Sequence, residues 1–337
     1  MKNGVYGLLK ARFLIDDDAV KNWRFIVFVI ILAIIMIANT QRFEQKVFNL
    51  AAIETLGYIC EELTKKEVTS NEVDQILSAI VICMKNNISD YDLALVSIKS
   101  LIKTIPLIGN QKMSIVQYSD ILMNEIFSLG NTYQTNETIL EHILRIFIEI
   151  VENYYDIFEA YHDKMASFVF LMINSQSDRL RIMGFEFWCR LGSEELERSK
   201  NKRKNYPCKF YFQAYFEKLK QMIELFILPN KADEEEDEWN TSKASCYLLV
   251  VLVQVINAES FETIVAAIKE TIKSDNHIIL KRSIIILTCS MESIHKTISF
   301  QLALQYMYKI AKNLSSNNMD LKLLSARALV TITKVLG

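Results

Sequence analysis

Residues 89–105 read SDYDLALVSIKSLIKTI: a two-residue polar turn, then fifteen residues whose apolar side chains recur at every third or fourth position. That spacing places the apolar side chains on one face of a helix. The Ser-Asp pair before it is a helix-start signal, because a short polar side chain can accept a hydrogen bond from the first free backbone N–H groups. The same phrase returns along the chain. Thr135-Asn136 precedes ETILEHILRIFIEIV, Ser177-Asp178 precedes RLRIMGFEFWCRL, Ser274-Asp275 precedes NHIILKRSIIILTCS and Ser316-Asn317 precedes NMDLKLLSARALVTITKVL. The spacings are 46, 42, 97 and 42 residues, and the 97 is divided by Trp239-Asn240 before TSKASCYLLVVLVQVI.

A period near forty is the mark of a repeat architecture. Between these helices the pattern predicts partner helices over 74–85, 114–128, 158–173, 210–228, 261–273 and 300–312. Two helices per unit and no strand-like alternation give an all-α fold, an α-solenoid (superhelix) of HEAT repeats. Eight glycines and three prolines in 337 residues agree, since sheets need those residues at their turns. The expected organisation is a continuous array over 46–337, preceded by a degenerate or truncated N-terminal repeat over 1–45.

With 51% hydrophobic residues the chain can fill a large core. A net charge of −2 supplies no global field for nucleic acid, so nucleic acid is not an expected partner. The six cysteines at 60, 83, 189, 208, 246 and 289 form no C-x-x-C pair, and the four histidines at 142, 162, 277 and 295 have no ligand spacing. The thiols therefore read as reduced and buried, in a cytosolic or nuclear protein. No phosphate loop, nucleophile elbow or dinucleotide fingerprint is present. The expectation is a non-enzyme with no metal and no cofactor.

Residues 25–38, FIVFVIILAIIMIA, are fourteen apolar residues in a row. A membrane span needs roughly 20, so the run reads as a buried helix. A membrane segment and an imperfect gene product are the alternatives. The stretch KNKRK, residues 200–204, could serve as a nuclear-localisation signal or phosphate patch, against the plainer reading of an exposed loop.

The most unusual stretch is ADEEEDEWN, residues 232–240. The six acids Asp233, Glu234, Glu235, Glu236, Asp237 and Glu238 repel one another and stay hydrated. They attract cationic partners, and Trp239 offers a face on which Arg or Lys can stack. A plain solvated loop with Trp239 packed in the core is the bland alternative.

Four segments, AAIETLGYICEEL (51–63), YYDIFEAY (154–161), GFEFWCRLGSEELE (184–197) and DEEEDEWN (233–240), occur in an order and spacing that resembles the N-terminal half of the importin-β (karyopherin-β) family of nuclear transport receptors. Relative to that family the chain lacks the first repeat or two and stops short of the full array. The resemblance implies a receptor shared between cytoplasm and nucleus and found at the nuclear pore and envelope. It implies that the acidic loop, with Glu186 and Glu194 as further concave-face acids, binds basic nuclear-localisation signals or the importin-α adaptor helix. It also implies contact with the GTPase Ran, which the incomplete N-terminal repeats put in question. Leu77, Ser78 and Val81 would form one wall of a groove for nucleoporin Phe-Gly repeats, and Tyr118 would face them. Ile115 and Ser119 depart from the family's pattern in that groove. A non-catalytic HEAT scaffold subunit of a phosphatase or other multiprotein complex is the alternative function.

Overall fold

The computed structural model describes residues 43–63, 68–107, 112–201, 207–228, 239–256, 258–294 and 300–336. Among the described residues there are fourteen α-helices and no strand. Residues 25–38 lie outside them. The chain divides into two compact units, Met1–Tyr161 and His162–Gly337.

The first unit contains α1 (Phe43–Glu62), α2 (Ser70–Asn86), α3 (Tyr91–Thr104), α4 (Lys112–Thr132), α5 (Glu137–Asn153) and the start of α6 (Tyr155–Ile173). Helices α1, α3 and α5 pack in one row, and α2 packs on α3 and α4. Asp90 caps α3, its Oδ1 accepting from the N–H groups of Asp92 (3.1 Å) and Leu93 (3.3 Å). Asn136 caps α5 through the N–H of Ile139 (3.1 Å). Both caps fall on the residues that the repeat identified. Helix α2 starts with a reciprocal capping box between Thr69 and Glu72, which satisfies two orphan donors at once.

Close approach within the α1–α3 pair has a specific cause. Gly57 has no Cβ, and one placed there would lie 2.5 Å from Ser100 Oγ. That hydroxyl donates to the Ile53 carbonyl of α1 at 2.8 Å, so the two helices share a buried polar rivet. Tyr154 repeats the device at the next interval, its Oη donating to the Ile105 carbonyl at 2.7 Å. Around these bonds Ile53, Leu56, Ile98, Leu101, Ile143 and Phe147 are fully buried. Each such side chain contributes about 1.5–3 kcal/mol by leaving water.

The second unit holds the rest of α6, α7 (Asp178–Asn201), the one-turn α8 (Tyr211–Ala214), α9 (Phe216–Phe226), α10 (Thr241–Val255), α11 (Ala258–Thr271), α12 (His277–Ile294), α13 (Phe300–Lys312) and α14 (Met319–Leu336). Helices α7, α10, α12 and α14 form the row, and α9, α11 and α13 pair with α10, α12 and α14. Asn240 caps α10 through the Lys243 N–H (2.9 Å). At α12 and α14 the caps are Asn276 and Asn318, each two residues past the serine of the expected turn. Asn276 accepts from Ile278 at 2.9 Å and Asn318 from Leu321 at 3.0 Å. The serines act one step earlier: Ser274 and Ser316 accept from the N–H groups of Asn276 (3.2 Å) and Asn318 (3.1 Å). The expected single helix over 210–228 is broken at Tyr215 and begins after Phe210, which has φ 58°.

Candidate binding surface

The six acids 233–238 lie outside the described residues, but the two ends of their loop are described. Ile227, fully buried after α9, accepts a 2.8 Å bond from Ser242 Oγ of α10. Thr241 Oγ1 donates to Asp178 Oδ1 at 3.1 Å, tying the start of α10 to the start of α7. Asp178 also receives Arg181 Nη1 at 2.6 Å, and the Arg181 guanidinium lies 5.4 Å from the Phe226 ring. The acidic stretch therefore springs from a root made by three helix ends.

Trp239 stands at that root with 55% of its surface exposed. It is not packed into the core. Tyr247, two turns along α10, is 52% exposed, and the two rings meet edge to face with centroids 6.5 Å apart. Tyr247 was not among the residues singled out from sequence. Helical periodicity did not mark it, because Trp239 lies before the cap residue Asn240, outside the helical register, and an aromatic in an apolar run reads as core.

Glu186 and Glu194 both lie on α7, which packs against α10. Both are engaged within their own helix. Arg190 Nη2 is 3.3 Å from Glu186 Oε1 and the pair is half exposed. Arg198 Nε is 2.5 Å from Glu194 Oε1, with both side chains largely covered. A cationic ligand would compete with these arginines.

Their neighbour Glu195 has a different role. It is 1% exposed, and its two carboxylate oxygens accept from the backbone N–H groups of Tyr211 (2.7 Å) and Phe212 (3.1 Å). The carboxylate thus caps α8, where Phe210 in its left-handed conformation offers no side-chain cap. Beside it Trp188, fully buried, contacts the rings of Phe170 (4.9 Å), Tyr215 (5.1 Å), Phe187 (5.3 Å) and Phe212 (6.3 Å).

In the first unit, Leu77 and Val81 of α2 are 0% and 5% exposed, while Ser78 is half buried. Neither apolar residue offers an open wall in the free chain, because both are consumed by packing. Tyr118 lies in α4, which packs on α2; its side chain is outside the described residues.

None of the six cysteines is in a disulfide; Cys60, Cys83 and Cys189 are buried, and Cys208, Cys246 and Cys289 are half buried. Burial pushes Cys60 up to about 11 and raises Cys83 and Cys189 above the ordinary thiol range. Among the described residues no His/Cys/Asp/Glu group could hold a metal ion, and no helix is long and apolar enough to cross a membrane.

A family model described as "Bacteriodetes cell division protein (FtsL-like)" matches residues 6–72, which include the apolar run and reach into α1 and α2. The wider chain is similar to other proteins. It is 20% identical over 230 residues to Importin subunit beta-1 of Arabidopsis thaliana, covering 66% of this chain and 26% of that relative. Importin subunit beta-1 of Schizosaccharomyces pombe is 20% identical over 253 residues, covering 72% of this chain and 29% of the relative. Over about two thirds of its length the chain is thus similar to importin-β. It spans between a quarter and a third of the length of these curated relatives. Among solved structures, yeast importin-β (Kap95p) superposes with a TM-score of 0.76 at 16% identity, covering 91% of this chain and 36% of that one. The Kap95:Nup1 complex gives 0.75 with the same identity and coverages. Kap95p bound to RanGDP gives 0.72 at 16% identity, covering 92% and 35%. These likenesses establish the fold of the chain as a HEAT-type α-solenoid.

Proposed function

We propose that this importin-β relative is a nuclear import receptor that holds a basic peptide, from cargo or from the importin-α adaptor helix, on the surface rooted at Trp239. The observation that carries this reading is the exposed Trp239–Tyr247 pair at the anchored end of a six-acid run. The acids raise the local concentration of cations, and the indole stacks one of them. Binding is non-catalytic. Ran in its GTP form then releases cargo by binding the same face with higher affinity, which requires a differential affinity between two arrangements of the repeats. Nucleoporin Phe-Gly repeats dock near α2 and α4. The complexes of Kap95 with Nup1 and with RanGDP support both partners by family likeness.

The test is a fluorescence titration with an arginine-rich helical peptide. Trp239→Ala should weaken binding by about threefold to tenfold, as expected for an exposed to partly desolvated cation–π contact. Replacing the six acids 233–238 by Asn and Gln should weaken it further and flatten its salt dependence. Wild-type binding no tighter than that of a scrambled peptide of equal charge, and indifferent to Trp239→Ala, would sink the reading and leave a HEAT scaffold. The Phe-Gly contact is checked separately by NMR line broadening of a Phe-Xaa-Phe-Gly peptide. Ser78→Arg should abolish the broadening without burying a charge, whereas an aspartate at Leu77 would break the core.

A further inference from the structure

Helix α1 carries an open apolar face. Val47, Phe48 and Tyr58 are 62%, 65% and 42% exposed, and Ala51, one turn after Val47, is exposed as well. Positions 47, 51 and 58 fall on one side of a helix, with Phe48 beside them. The opposite side is spent on α3, where Gly57 and the Ile53 carbonyl meet Ser100. A single exposed apolar side chain is ordinary, but a contiguous set on one face asks for a cover.

The array shows what kind of cover fits. Helices α3, α5, α10, α12 and α14 each pack on the outer helix that immediately precedes them, namely α2, α4, α9, α11 and α13. Among the described residues α1 is the first helix, and it packs chiefly on α3. The fourteen apolar residues 25–38 precede it in sequence. Their spacing is that of the array. Four residues, 39–42, separate the run from α1; four residues, 87–90, separate α2 from α3, and four, 133–136, separate α4 from α5. Helix α11 also has fourteen residues, and α13 has thirteen. As a helix the run would be about 21 Å long, well short of the roughly 30 Å of a bilayer core.

We propose that residues 25–38 are the outer helix of α1, seated on its open apolar face and completing a further two-helix unit ahead of α3. The array then begins at Phe25 rather than at Lys46. A helix apolar on every side needs burial on more than one. Here α1 takes one side and α2 a second, as α2 itself lies on both α3 and α4. A tether of four residues holds the run near α1 at high effective concentration, which favours it over a second copy of the chain or a membrane. The pairing holds whether or not the chain transports cargo.

The test places the photoreactive residue p-benzoylphenylalanine at position 48 of the full chain. Irradiation should cross-link within one chain, and trypsin should release peptide 47–65 joined to peptide 25–42. A cross-link between two chains would put a second copy on the face and overturn the proposal, as would attachment elsewhere in the chain or none at all. Flotation with phosphatidylcholine–phosphatidylserine vesicles supplies the membrane arm. The chain should stay at the bottom of the gradient; flotation that Ile31→Asp abolishes would assign the run to a bilayer instead. Hydrogen exchange reads the pairing without a cross-link. On an uncovered face Phe48→Asp changes an exposed side chain and should disturb nothing beyond its own turn. Under the pairing it should quicken exchange across 25–38 severalfold and leave α5 unchanged. Unchanged exchange across 25–38 would overturn the pairing.

Discussion

Replacing Glu195 tests whether a buried carboxylate holds the broken helix α8–α9 in place. Its two oxygens serve two backbone donors, Tyr211 and Phe212, at 2.7 and 3.1 Å, in a site that is 1% exposed. Glu195→Ala deletes both acceptors and strands two buried N–H groups. Each stranded donor costs about 1–3 kcal/mol, so the loss should be about 2–6 kcal/mol. Glu195→Gln keeps one carbonyl acceptor and turns an NH2 group toward the other donor, so about half that loss is expected. The assay is urea unfolding followed by Trp188, which sits in the affected ring cluster 6.3 Å from Phe212. Trp23 and Trp239 are replaced by Phe so that Trp188 reports alone. At an m-value of about 3 kcal/mol/M the Ala variant's midpoint should fall by about 0.7–2 M. Hydrogen exchange at the Tyr211 and Phe212 amides should quicken in the same order, Ala beyond Gln. Midpoints for both variants within about 0.2 M of wild type would refute the capping argument.

Gly57→Ala should destabilise by about 1–3 kcal/mol, because the new Cβ would meet Ser100 Oγ at 2.5 Å in a packed interval. Adding Ser100→Ala should recover part of that loss, and a double-mutant cycle with zero coupling would show that the rivet does not set the α1–α3 approach. Asp90 gives a pH dependence of known sign. Burial alone would raise its carboxyl, but hydrogen bonds from Lys46 and from the N–H groups of Leu93 and Asp92 outweigh it and hold it below the ordinary range. Its contribution is therefore present above the unfolded value of about 3.9 and lost as pH falls through the lower folded value. Asp90→Asn keeps the cap oxygen and should flatten the acid limb of a stability–pH curve; an unchanged limb would assign that limb to other carboxylates.

The repeat was legible because each unit announces its helix start with polar residues whose physics is local. Asp90, Asn136, Ser177 and Asn240 cap where the pattern put them. At 274–276 and 316–318 a serine, a spacer and an asparagine act in series, and the pattern marked the serine rather than the asparagine that closes the helix. Pairings that depend on distant residues were not legible. Nothing within reach of Glu195 in sequence says that its partners are the amides sixteen and seventeen residues on. Gly57 gives no hint of Ser100.

Apart from the acidic stretch and Trp239, the segments that carry the family resemblance do not carry the ligand chemistry. In GFEFWCRLGSEELE the residues Phe185, Phe187 and Trp188 are fully buried and Glu195 is a cap, so the segment persists as a packing solution. It testifies to the fold, not to a bound peptide. Leu77 and Val81 make the same point from the other side, because the face on which the resemblance puts a groove is here spent on the core. What a ligand can reach is different: Trp239 and Tyr247, both more than half exposed and in ring contact, on a helix whose start is pinned to α7 and to the end of α9. Tyr247→Ala removes little buried surface, so it should change stability by less than about 0.5 kcal/mol. A loss of arginine-rich peptide affinity in that variant, with stability intact, would tie recognition to the exposed pair. Affinity equal to wild type would restrict it to the acidic run and Trp239.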